Sequence, residues 1–146
     1  MEQDFDKIVE QLLETPVWVI DFLPQQVPQG SGGQFFAVEQ FYREEPQYGR
    51  LCCQFAAVLL KLNCYHDLHV SHGDEWVKNP EPDALAAWLA EALQHDHLCA
   101  VIDDGAALLT VSSGDTHMTL YNPSPALLEL AEQLTSAANL FLWQPQ

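Results

Sequence analysis

The amino-acid sequence predicts an α+β fold: a mainly antiparallel sheet of five to six strands, with a C-terminal three-stranded meander, packed against about four helices. Three observations point there. Apolar residues recur at helical spacing in several separate stretches. Short apolar runs in the last third are divided by tight-turn residues. The length, 146 residues, suits one core rather than two. The whole chain, 1–146, is therefore expected to form a single domain. An apolar content of 48%, with four Trp, four Tyr and seven Phe, is enough to offset the entropy of ordering it.

The first helix is read from Phe5, Ile8, Val9, Leu12 and Leu13, whose spacing gathers them on one side and leaves Asp6, Glu10 and Glu14 on others. Thr15-Pro16 ends it. Val17 to Leu23 is apolar, β-branched and aromatic between Pro16 and Pro24, which predicts a strand buried on both sides. Pro24 to Gly33 has three glycines and no periodicity, so it reads as a loop. In residues 34–43, Phe35, Val38 and Tyr42 suit a helix while the aromatic content suits a strand; a strand paired with residues 17–23 is expected.

Leu51, Phe55, Val58, Leu59 and Leu62 form one stripe of a helix over 46–62, the expected central core helix, with Cys52 and Ala56 beside it. His66 to Ser71 reads as a short strand. Asn79-Pro80-Glu81-Pro82-Asp83 opens another helix, with proline and acid where a helix start favours them and Leu85, Trp88, Leu89 and Leu93 facing inward. The meander is Leu98 to Ile102, Ala106 to Ser112 and Thr116 to Tyr121, divided by Asp103-Asp104-Gly105 and Ser113-Gly114-Asp115. Ser124 as N-cap and Pro125 at the first position start a helix that turns Leu127, Leu130, Ala131 and Leu134 inward. Asn139 stops it, and Leu140 to Trp143 is the last strand.

The chain carries 21 Asp and Glu against 5 Lys and Arg, a formal charge of −16 at pH 7. Lys7, Arg43, Arg50, Lys61 and Lys78 are scattered, so no basic stripe exists to displace counterions from DNA or RNA, and an anionic membrane surface is disfavoured for the same reason. The acidic start, Met1 to Asp6, is unlike a secretory signal, and no apolar run approaches the ~20 residues that span a bilayer. A cytoplasmic location is expected. Cys52, Cys53, Cys64 and Cys99 show no paired C-x-x-C spacing and read as mostly buried thiols.

The densest set of ligand-type side chains lies between Tyr65 and Glu75. His66, His69, His72 and Asp74 are the candidate ligands of a divalent metal, the one cofactor the sequence offers. A straight strand places His66 and His72 on one face and His69 on the other, and a polar loop around a short strand accounts for the same residues. His95-Asp96-His97 follows a helix, where imidazoles favour the last carbonyls. His117, alternating outward beside Thr119 and Tyr121, would share a surface with either cluster if the fold brought them together.

No catalytic residue is assigned. Ser112-Ser113-Gly114-Asp115 lacks the glycine offsets of a nucleophile elbow, and Cys52, Cys53 and Cys99 sit in apolar runs that raise a thiol pKa. Of the four thiols, Cys64 is the one that stands next to the His cluster. Gly30-Ser31-Gly32-Gly33 lacks the lysine of a phosphate loop. Asp21, alone in an apolar strand, must be hydrogen-bonded, point to an edge or hold a raised pKa, and the last of these marks a site.

Three functional readings result. The first is a non-enzymatic protein that binds a basic partner, in its sharpest form an immunity-type protein or inhibitor, through Glu2, Asp4, Asp6, Glu10 and Glu14 at one end and Asp67, Glu75 and Trp76 at another. The second is a metal-binding domain or metal-dependent enzyme built on His66, His69 and His72. The third is a subunit of a homo-oligomer such as a homodimer, joined through Trp76, Phe141 and Trp143.

Overall fold

The computed structural model describes residues 4–30 and 32–145. Among these residues the chain forms an α+β fold of five helices and one seven-stranded antiparallel sheet, one helix and at least one strand more than the sequence predicts. In chain order the elements are α1 (Phe5–Leu12), β1 (Val17–Asp21), α2 (Gln34–Arg43), α3 (Gln47–Leu62), β2 (Leu68–His72), β3 (Glu75–Lys78), α4 (Pro82–His95), β4 (His97–Ile102), β5 (Ala107–Ser112), β6 (His117–Tyr121), α5 (Pro125–Ala137) and β7 (Phe141–Trp143). The strands lie side by side as β3-β2-β4-β5-β6-β1-β7. Among the described residues no helix is long and apolar enough to cross a membrane.

The two faces of this sheet are unequal. Alternation along the strands sends Ile20, Leu68, Val70, Leu98, Ala100, Ile102, Leu109, Val111, Met118 and Leu120 to one face, where they meet Phe55 and Leu59 of α3, Leu85, Leu89 and Leu93 of α4 and Leu127 of α5. This is the main core. Tyr48 on α3 donates its hydroxyl to the Leu93 carbonyl at 2.6 Å, and Gln54 donates to the Ala138 carbonyl at 2.9 Å, so polar contacts tie α3 to the ends of α4 and α5.

The opposite face carries a second, smaller core of Leu12, Val101 and Leu108, with Phe5, Ile8, Val9, Trp76, Cys99 and Tyr121 packed around it. Here α1 lies on the middle of the sheet, started by the Asp4 carboxylate accepting the Lys7 amide at 3.2 Å. An eight-residue helix cannot cover seven strands. The same face of β6, β1 and β7 is left without a helix across it.

Four expectations change. Residues 34–43 are helix α2, not a strand beside 17–23, and β1 pairs instead with β6 and β7. The helical spacing of Phe35, Val38 and Tyr42 prevails, with Tyr42 packed on Phe22 at a ring separation of 4.7 Å. Within β1 only Ile20 is buried, because the helix-free face leaves Val17, Val19 and Asp21 half-exposed. The segment after β2 is not a plain connection: Gly73-Asp74 makes a two-residue turn, Gly73 adopting φ +60°, and β3 returns as the edge strand with His72 opposite Glu75. The meander, the Ser124 cap and the final strand stand where the sequence predicts them; Ser124 Oγ accepts the Leu127 amide at 3.1 Å.

Candidate functional site

The strand register builds the open half of the second face. Thr110, Thr119, Val19 and Trp143 are successive partners across β5, β6, β1 and β7, and His117, Asp21 and Phe141 form the next row. None of these seven residues is buried. Where β1 ends, the chain turns out through Phe22 and Leu23 and comes back as α2, enclosing a cleft of about 480 Å³ against this row. Val27, Phe22, Phe35, Phe36, Val19 and Trp143 supply its apolar wall, and Asp21, Glu39 and His117 its ionisable groups. Trp143 donates its indole N–H to the Leu23 carbonyl at 3.0 Å, which fastens the last strand to the start of the loop.

Asp21 is held in the cleft by the main chain. Its Oδ1 accepts the Phe22 amide at 2.7 Å. Burial pushes its pKa above the ordinary 3.8; the Phe22 and Leu23 amides and the His117 imidazole act in the lowering sense, and Glu39 in the raising one. Among the described residues it takes part in no ion pair, whereas Glu39 is paired with Arg43 at 3.3 Å along α2. Asp21 is thus both hydrogen-bonded and raised in pKa, two of the three alternatives the sequence pattern leaves to an acid in that strand.

Helix α2 forms the outer wall and buries no residue of its own. Phe36 is 74% exposed and Phe41 51%, and Val38 is exposed beside them. Phe22, Leu23, Val27, Phe35 and Val38 also line a shallower apolar notch next to the cleft. The notch and the cleft share Phe22, Leu23, Val27 and Phe35, so the two apolar surfaces adjoin.

The structure brings part of the expected acidic surface together elsewhere. Asp6 of α1 lines a depression of about 440 Å³ with Asp74, Glu75, Trp76 and His97, on the other side of α1 from the cleft. Trp76 donates its indole N–H to Asp6 at 3.3 Å and its ring packs on Phe5, joining the N-terminal segment to the β2–β3 hairpin. Asp4 is occupied in capping α1, Glu10 and Glu14 project into solvent, and Asp67 accepts the Asn79 amide group at 2.9 Å. That hydrogen bond holds the Asp67 pKa below the ordinary carboxylate value, with Lys78 adding to it. Glu2 lies outside the described residues.

The metal candidates do not converge. His66 Nδ1 lies 3.0 Å from the Asp103 carboxylate, and His69 Nδ1 lies 3.2 Å from the Asp103 carbonyl while its ring stacks on Phe5 at 4.4 Å. His72 points to the opposite face, stacked on Trp88 at 4.1 Å, and Asp74 sits in the turn. Among the described residues no group of three or more His, Cys, Asp or Glu side chains is placed to hold a metal ion. His117, on β6, is three strands from β2, and among the described residues no hydrogen bond or ion pair joins it to either His cluster. Of the aromatics expected at the surface, Phe141 is 44% exposed, and Trp76 and Trp143 are half-buried.

The sequence flags Asp21 but not its cleft, because Glu39, Phe35 and Phe36 reach it only when residues 34–43 are helical. Among family models, curated proteins and solved structures, none matches this chain.

Proposed function

We propose that this protein acts by binding another protein rather than by catalysis, and that the surface it uses is α2 with the cleft behind it. The partner is basic, as an acidic inhibitor or immunity-type protein would require. The observation that supports this most is helix α2, which buries none of its ten residues and presents to solvent both Phe36, on the wall of a carboxylate-bearing cleft, and Phe41, outside that wall. Exposed aromatics supply contact area at small entropic cost, and the net charge of −16 steers basic partners toward it and anionic ones away. Asp21 and His117 face the same cleft without an ion pair or hydrogen bond between them, which gives no support to acid–base chemistry there.

The test is selection of a randomised displayed peptide library on the immobilised protein, followed by binding of the enriched peptides to the Phe36→Ser, Phe41→Ser double variant. Basic peptides with aromatic or aliphatic neighbours should be enriched, and the double variant should bind them more weakly. Acidic peptides, no enrichment, or equal binding by the double variant would overturn the reading. Sizing at low and high salt bears on the homodimer: self-association that survives salt and disappears in the double variant would make a second copy of this chain the occupant of α2.

A further inference from the structure

We infer that the cleft under α2 is an anchor site for an arginine side chain of the partner, its guanidinium paired with Asp21 and its stem laid against the aromatic wall. This rests on the protein-binding reading above and names what that surface recognises.

Three features of the cleft carry it. The first is an acceptor without a cation. Asp21 is fixed by the Phe22 amide at 2.7 Å and takes part in no ion pair among the described residues, although the cleft also holds Glu39. A carboxylate in apolar surroundings that lacks a counter-charge gains most from a cation brought by a ligand. Its raised pKa, caused first by burial, agrees with that.

The second is the wall. Phe22, Phe35, Phe36 and Trp143 line the cleft together with Asp21 and Glu39, and a guanidinium is planar, weakly hydrated and stacks on aromatic rings where an ammonium does not. Arginine therefore fits better than lysine. The third is size: about 480 Å³ accommodates one long side chain with an apolar neighbour, which matches a short segment of a partner rather than a flat protein face.

Within the cleft the Arg43 guanidinium holds Glu39 from the α2 side at 3.3 Å, so Asp21 is the acceptor left for the ligand. His117, opposite Asp21 in the β1–β6 ladder, lines the same cleft. An incoming arginine thus meets Asp21 in a cleft that also holds an imidazole and an already paired glutamate.

The experiment titrates isotope-labelled full-length protein with N-acetyl-arginine N′-methylamide and, separately, with the citrulline and norleucine counterparts. Amide signals of Phe22 and Leu23 and the indole signal of Trp143 are followed. The arginine probe should give saturable shifts at these groups, with the citrulline probe weaker by about five-fold or more and the Asp21→Asn variant weakened by a similar factor. No shift at the cleft, equal response to citrulline and arginine, or an undiminished response in Asp21→Asn would overturn the inference. If Asp21→Asn fails to fold, the arginine–citrulline comparison on the wild type decides alone. The peptide selection above is separate: enriched peptides that bind through α2 but need no arginine would remove this inference and leave the binding reading intact. A responsive arginine probe with no peptide enrichment would do the reverse.

Discussion

Asp21 stands directly opposite His117 in the antiparallel β1–β6 ladder, on the helix-free half of the sheet, and no ion pair joins the two. The pair marks the floor of a cleft whose outer wall is α2. Its consequence for stability has a definite sign. Burial raises the folded-state pKa of Asp21 above its ordinary 3.8, with Glu39 acting in the same sense and His117 and the main-chain amides against it. The folded protein therefore holds that proton more tightly than the unfolded chain does, so this group destabilises the fold increasingly as pH rises from 3.8 through the folded value, and costs nothing below 3.8. Asp21→Asn keeps an oxygen for the Phe22 amide and removes the charge. Its thermal midpoint should exceed that of the wild type at neutral pH, and the two should converge in acid. A lower midpoint at neutral pH would mean that the buried charge is stabilised by contacts other than those described.

Phe36 and Phe41 contribute little to the folded state, since most of their surface already faces water. Phe36→Ser and Phe41→Ser should each change stability by less than about 0.5 kcal/mol in denaturant unfolding. Losses several times larger would show that α2 is a structural element, and its aromatics would then say nothing about a partner.

The helix on the other half of the face depends on a close approach. Gly105, in the turn between β4 and β5, has φ +120°, and a Cβ there would stand 3.3 Å from Cγ2 of Ile8 on α1. Gly105→Ala therefore combines backbone strain with pressure on α1 and should cost about 1–3 kcal/mol. Hydrogen exchange in α1 and in the β4–β5 turn should rise with it. Unchanged stability would mean that α1 shifts freely, and that the small second core is not tightly packed.

The four thiols divide by environment. Burial pushes Cys52 up to about 11 and raises Cys99, whereas Cys53 and Cys64 are exposed. Iodoacetamide at neutral pH should label Cys53 and Cys64 first, with Cys52 and Cys99 following only as the protein unfolds; peptide mass spectrometry reads the order. Early labelling of Cys52 would place α3 outside the core.

Much of the architecture is legible in the sequence because it is locally encoded. α1, α3 and α5 announce themselves by apolar residues on one side, and the meander by turn residues between short apolar runs. α2 is different: it packs Tyr42 on Phe22 but buries no residue, so its periodicity carries almost no hydrophobic signal and its aromatics imitate a strand. β3 escapes notice because Glu75-Trp76-Val77-Lys78 is short, half polar and held only by the hairpin to β2. The site follows the same division. Asp21 is conspicuous as an acid in an apolar strand, while its neighbours His117 and Trp143 come from distant segments that only the sheet register unites. The acidic residues singled out by charge alone split between helix capping, solvent and the Asp6–Glu75 depression.

The proposed docking of a basic ligand on α2 and the cleft is read out by a chemical-shift map of the isotope-labelled protein with the tightest basic peptide from the library selection. The largest shifts should fall on residues 19–23, 35–41, 116–119 and 141–143, and they should fade in the Asp21→Asn variant. Shifts centred instead on Asp6, Asp74, Trp76 and His97, with the cleft silent, would contradict it and move the binding surface to the acidic depression across α1.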